Sequence, residues 1–196
     1  MLYDPELTLR EARELYFEIN DFKGGGYDEA WVKMKAGPVP VWFPNTKGRV
    51  RAVKYHDLHH VLTEYPTTWR GEAEIGAWEV ATGCAGHYPA WLLNLEAFAI
   101  GLVINPRGVF RAFVRGRRSG NLYRRRFGDE LLAAKVGDVR EQLRLSVPAA
   151  PASNADRLAF AAWSIAGVST LAGAALAFLL PFALALAALV WWRGSL

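Results

Sequence analysis

The chain has 196 residues, half of them apolar, and a formal net charge of +4. That length holds one ordinary domain plus an appendage and excludes two full domains. A single cysteine, Cys84, excludes an internal disulfide and a multi-cysteine zinc site, and reads as a small buried hydrophobe.

The opening, MLYDPELTLREAREL, carries acids where a secretory signal has bases, and no apolar run follows. Residues 5–20 read as an amphipathic helix, with Leu7, Leu9, Leu15, Phe17 and Ile19 supplying its apolar contacts. Gly24, Gly25 and Gly26 break the chain. They are not a phosphate loop, because no Lys-Ser/Thr pair follows and no strand precedes them. A short helix is expected over 28–36. Pro38, Pro40 and Pro44 then predict an extended linker.

The spacing predicts a helix over Thr46–Glu64, ending near Pro66, and a second over 70–83, ending at Gly83. The apolar stretch Trp91–Ile104 is too short to span a bilayer and reads as a core helix. A basic helix covers 107–117 and a small final helix lies around 129–144. Strand-like alternation is scarce, so the expected fold class is all-α over residues 1–147.

Ala97–Gly128 contains no acid but holds Arg107, Arg111, Arg115, Arg117, Arg118, Arg124, Arg125 and Arg126. Such a surface meets anionic lipid or nucleic acid. Few aromatics interleave, so lipid head groups are the better expectation and nucleic acid is not expected. A solvated helix face explains several of these arginines equally well.

Residues 148–157 form a small-residue linker. Residues 158–192 then carry no charged side chain. As one straight helix these 35 residues run about 52 Å, against a hydrocarbon core of about 30 Å. An interfacial helix followed by a span over Leu171–Trp192, or a hairpin turning near Ser169–Gly173, both fit that length. Trp191, Trp192 and Arg193 resemble an interfacial anchor, and the arginine-rich domain is expected to stay cytoplasmic. Pro181 predicts a kink.

The segment YHDLHHVLTEYPTTWRGEAEIGAWE carries the chemistry. With His56 at 0° on a helix, Asp57 falls at about 100°, His60 at about 40° and Glu64 at about 80°. These side chains share one arc, whereas His59 lies at about −60° and is not counted as a ligand. The turn at Pro66 lets Glu72 face that arc, and Glu79 follows seven residues later on the same face. Two imidazoles with carboxylates suit zinc, manganese, cobalt or ferrous iron better than magnesium or calcium. From the pattern alone, a satisfied histidine pair remains the alternative. A metalloprotease helix needs Glu where Asp57 stands. A phosphohydrolase of the HD superfamily needs a histidine upstream of His56, and there is none.

His-Asp-x-x-His, eleven residues, then Glu, running from His56 through Asp57 and His60 to Glu72, resembles the signature of the coenzyme Q biosynthesis protein 4 family. HVLTEYPTTWRGE, GRRSGNL (Gly116–Leu122) and VGDVREQL (Val136–Leu143) resemble further segments of that family, and together they cover residues 28–145. Two departures stand out: Glu64 replaces the usual glycine after Leu-Thr, and the C-terminal apolar stretch is unusual in a family of peripheral membrane proteins.

The resemblance implies a metal site of His56, Asp57, His60 and Glu72, with zinc favoured and cobalt, manganese or iron as alternatives. It implies Glu79 as a proton carrier or a support to the ligands, and Glu64 is a second candidate for proton transfer. The implied activity is decarboxylation, with replacement by hydroxyl, of a polyprenylated hydroxybenzoate precursor of ubiquinone. The implied setting is the cytoplasmic face of a bacterial inner membrane. Anionic lipid and other quinone enzymes are expected partners, and the chain is a candidate homo-oligomer. A non-catalytic prenyl-lipid scaffold and a metal-dependent lipid hydrolase are the two rival functions. For a prenyl tail, the Trp91–Ile104 helix with Ile75 and Trp78 either lines an apolar groove or simply packs the core.

Overall fold

The computed structural model describes residues 2–36, 39–147 and 151–194. The fold is mostly helical, in keeping with the expected all-α class. Helix α1 (Leu9–Ile19) starts later than the periodicity alone suggests, because Thr8 forms a capping box with Glu11. The Thr8 hydroxyl accepts from the Glu11 backbone N–H at 3.2 Å, and the Thr8 backbone N–H donates to the Glu11 carboxylate at 2.8 Å.

The short helix expected over 28–36 is instead strand β1 (Trp31–Ala36), paired antiparallel with β2 (Val39–Pro44) from Trp31↔Pro44 to Ala36↔Val39. Valines and aromatics favour the extended form. In a two-stranded ribbon every residue lies on an edge, so Pro40 and Pro44 are tolerated within a strand. The predicted extended segment is thus a hairpin arm, and Pro38 lies outside the described residues.

Helices α2 (Lys47–Thr63) and α3 (Trp69–Thr82) match the predicted pair. Each starts on a threonine cap: Thr46 accepts from Arg49 N–H and Thr68 from Gly71 N–H, both at 3.2 Å. Helices α4 (Tyr88–Ile104) and α5 (Pro106–Gly116) begin earlier than predicted, because Pro89 and Pro106 occupy their first turns, where the missing N–H costs nothing. The single final helix expected over 129–144 is two pieces, α6 (Asp129–Leu132) and α7 (Val136–Gln142). Between them the chain pairs with the N-terminal segment: Leu9 N–H donates to Ala134 O and Val136 N–H to Leu7 O, both at 2.9 Å.

Helix α3 is central, packed along α4 and α5. Gly116 makes the close approach possible, since a Cβ there would lie 2.6 Å from the Trp78 carbonyl oxygen. Trp78, Phe98, Phe113, Leu58, Leu62 and Ile75 are fully buried around α3. Trp78 and Ile75 therefore pack the core.

Helix α8 (Asn154–Gly194) is continuous through Ser169–Gly173, so the hairpin alternative does not form, and it also runs through Pro181. The polar pair at the expected turn is absorbed into the helix, with the Thr170 hydroxyl donating back to the Ala166 carbonyl at 2.9 Å. Its first turns dock on the domain. Trp163 stacks on Trp91 with ring centroids 5.3 Å apart, and Phe160 sits edge-on to Phe98, Phe110 and Phe113. Ser153 and Asp156 form a cap at its start, and Arg117 and Arg118 both donate to the Asp156 carboxylate at 3.1 Å. Beyond this base the helix is long and apolar enough to cross a bilayer, with Leu176, Phe178, Leu179, Leu180, Phe182 and Leu184 exposed.

Candidate metal centre

The ligand face of α2 is fixed at its C-terminal end by two arginines. Arg140 of α7 donates to the carbonyls of Leu62 and Val61 at 3.0 and 2.9 Å, and Arg115 of α5 donates to that of Thr63 at 3.1 Å. These carbonyls have no partner within the helix, and cations at this end also oppose its dipole. Arg115, Arg117 and Arg118 thus have work within the fold, and Arg125 donates to Gln142.

His56, His60 and Glu72 come together, as their spacing predicts. His56 Nε2 and His60 Nε2 are 3.1 Å apart. His60 Nε2 is 3.3 Å from Glu72 Oε1, and His56 Nε2 is 3.4 Å from Glu72 Oε2. In a tetrahedral zinc shell with bonds of about 2.0–2.2 Å, neighbouring ligand atoms lie roughly 3.3 Å apart, which these three edges approach.

Both imidazoles are aimed through their other nitrogen. His60 Nδ1 lies 2.7 Å from the Tyr65 carbonyl oxygen, which only accepts, so Nδ1 carries the proton and Nε2 presents a lone pair. His56 Nδ1 is 3.0 Å from Glu79 Oε1, the carboxylate–histidine arrangement that orients metal ligands. Two imidazole nitrogens and a carboxylate at this separation require a shared cation, either a proton or a metal ion. Burial disfavours charge on His56, but the Glu79 and Glu72 carboxylates outweigh it and hold its pKa well above the usual value. Burial would raise the Glu72 carboxyl, yet the two histidine rings beside it pull it well below the carboxylate range. The His60 side chain is buried, whereas that of Glu72 is 37% exposed, so the group opens on the Glu72 side.

Asp57 lies beside this group of three. Its carboxylate accepts from the Tyr27 hydroxyl at 2.5 Å, and burial raises its pKa. Glu64 is turned away. It sits in the left-handed conformation at φ 62° and ends α2, and its carboxylate accepts from Arg140 at 2.9 Å and from the Leu2 N–H at 2.8 Å. Glu79 is fully buried and does not reach the open side. Its oxygens take hydrogen bonds from His56, His59 (2.6 Å), Tyr123 (2.7 Å) and Asn94.

His59, Asn94 and Tyr123 are the members of this network that sequence reasoning passed over. His59 Nδ1 donates to Glu79 while its Nε2 accepts from the Leu122 N–H at 3.0 Å. The α2 periodicity already turned His59 off the ligand arc. Nothing in the pattern pointed to Asn94 or Tyr123, which arrive from α4 and from the loop after α5.

Tyr16 of α1 stacks on the His60 ring, with centroids 5.5 Å apart and planes 18° from parallel. Burial raises its phenol pKa, and the Asp57 and Glu72 carboxylates add to that rise. A groove of about 540 Å³ lies elsewhere, between Asp28, Lys47, Arg51, Lys54 and Phe127, and borders the metal group through Tyr27. No family model, curated protein or solved structure matches this chain.

Proposed function

We propose that this protein is a membrane-anchored, metal-dependent enzyme of quinone biosynthesis. In this reading it carries out oxidative decarboxylation of a polyprenylated hydroxybenzoate precursor: the ring carboxylate leaves as carbon dioxide, and an external oxygen-donor oxidant (dioxygen with a two-electron reductant, or a peroxide) supplies the hydroxyl oxygen that replaces it. The observation that carries the metal assignment is the triangle of His56 Nε2, His60 Nε2 and the Glu72 carboxylate, open on one side. Three protein ligands with a free position are the arrangement of catalytic rather than structural zinc sites. The likeness of His56–Glu72 and its flanking segments to the coenzyme Q protein 4 family supports the choice of reaction.

A divalent ion held by His56, His60 and Glu72 would supply a positive charge for a substrate carboxylate or phenolate oxygen and for the negative charge that develops on decarboxylation. The chain's own groups do the rest. Glu79 and the Tyr65 carbonyl hold the two imidazoles in register, and Glu72 closes the ligand set while leaving its outer edge to the substrate. Asp57, held by Tyr27, adds negative charge beside the site. Helix α8 keeps the domain at the bilayer in which a polyprenyl substrate resides, with the arginine-rich side facing the cytoplasmic leaflet of the inner membrane.

The test is deletion of the gene in its host, complementation with wild type, His60→Ala or Glu72→Ala, and quinone profiling by mass spectrometry. A carboxylated precursor accumulating only with the two variants supports the enzyme. Normal quinone in all three strains refutes catalysis at this site and leaves a scaffold. Quinone levels that do not depend on the gene point to the lipid hydrolase.

A further inference from the structure

Helix α1 brings Tyr16 against the metal centre and carries Arg13 one turn earlier. Tyr16 is 3% exposed and its ring lies on His60, yet its hydroxyl has no hydrogen-bond partner among the described residues. The ring is buried but the hydroxyl oxygen is not sealed off, so it is free to donate to water or to a ligand that enters beside His60. The hydroxyl is close enough to the Asp57 and Glu72 carboxylates to feel both charges. Arg13 stands three residues earlier, on the same helix face. Its guanidinium packs over the Phe17 ring at 5.7 Å, and its buried Nε also has no partner. It acts electrostatically on the Tyr27 phenol, which is bonded to Asp57. Tyr16 thus lies against His60, and Arg13 lies over Phe17, whose ring meets that of Tyr27.

We infer that α1 forms an oxyanion subsite beside the metal group, in which the Tyr16 hydroxyl and the Arg13 guanidinium hold a single carboxylate of the substrate. Charge complementarity supports an anion. With a divalent ion in place the two imidazoles are neutral, and Glu72 and Asp57 cancel the ion's charge. The four donors around Glu79 share its negative charge, and Arg49, two turns before His56, adds a positive charge that acts on Asp57. The Arg13 charge is left over, and a monoanion balances it. A guanidinium and a hydroxyl are directional donors, so they favour an oxygen anion over a halide. The inference deepens the reading of His56, His60 and Glu72 as a metal centre, because the ligand is held between that centre and α1.

The probes are benzoate, its uncharged analogue benzamide, and inorganic phosphate, titrated calorimetrically into the full-length protein in detergent micelles. Zinc content is measured first, and each titration is run on zinc-loaded and zinc-free protein. Wild type binds benzoate more tightly than benzamide. Tyr16→Phe, which keeps the stacked ring, weakens benzoate about tenfold with zinc content and melting temperature unchanged. Arg13→Gln weakens it at least as much, and Arg13→Lys falls between. Phosphate binding that shows the same dependence on Arg13 and Tyr16, and exceeds benzoate, overturns the assignment to a carboxylate. Equal benzoate affinity in wild type, Tyr16→Phe and Arg13→Gln overturns the subsite itself. If zinc is absent from every sample, the metal reading fails, and the subsite is judged on the zinc-free titrations. Should Arg13→Gln not fold, Tyr16→Phe decides.

Discussion

Replacing Glu79 by glutamine keeps the shape of the side chain and removes its charge. The carboxylate now accepts from four donors: His56, His59, Tyr123 and Asn94. An amide offers one acceptor oxygen and turns an NH2 toward two of those donors. A hydrogen bond to a charged group contributes about 1.5–3 kcal/mol, and leaving buried donors unpaired adds to the loss. Two lost bonds therefore set the cost at about 3–5 kcal/mol, the range for breaking a buried ion pair. For a domain of this size that lowers the melting temperature by roughly 6–20 °C. Losing the partner of His56 Nδ1 also frees that ring, so zinc affinity falls about 10–100-fold. Both effects are measurable on one sample, by thermal unfolding of the metal-free protein and by competition for zinc with a chromophoric chelator. Glu72→Gln is the control. Its side chain is part-exposed, so it loses zinc affinity while the metal-free melting temperature moves little. Wild-type zinc affinity and stability in Glu79→Gln would refute the assigned role of Glu79.

At Glu64 the left-handed backbone favours glycine, so Glu64→Gly should be more stable than Glu64→Ala by about 1 kcal/mol, measured by urea unfolding. Equal stabilities would show that the conformation relaxes. Burial raises the Glu64 carboxyl pKa, but the Leu2 N–H and Arg140 outweigh it and hold it below the usual range. A depressed folded pKa means stabilisation that is complete above the unfolded value of about 4.3 and lost as pH falls through the folded value. The stability gap between wild type and Glu64→Gln should therefore close on acidification below about pH 4, and a constant gap would contradict it. Asp156→Ala removes both the cap of α8 and the ligand of Arg117 and Arg118. About 1–2 kcal/mol of local stability is lost, and limited proteolysis should cut near residue 153 faster than in wild type.

The ligand triangle was legible in the sequence because two of its corners sit four residues apart on one helix, and local periodicity fixes that geometry. The third corner followed from a short turn. What supports the triangle was not legible. Glu79 depends on Asn94 and Tyr123, whose approach is set by the packing of α3 against α4 and by the loop after α5. The 28–36 segment was misassigned although Val32, Met34 and Ala36 alternate with Lys33 and Lys35, because the run is short and its partner strand is masked by Pro40 and Pro44. The arginines misled in another way. Composition groups Arg115, Arg117 and Arg118 with Arg107 and Arg111, while the fold sends the first three inward to helix termini and to Asp156. The continuity of α8 was undecidable from its residues, since an uninterrupted apolar run fits a bend or a rod equally well.

The base of α8 has a mechanical consequence. An unbroken helix clamped by stacked tryptophans and two guanidinium contacts has no swivel at its root. A domain on such a mast cannot tumble as one on a flexible tether does. Its tilt toward whatever surface receives residues 171–192 is set once, at folding, and every approach to the opening beside Glu72 is made from the same compass direction.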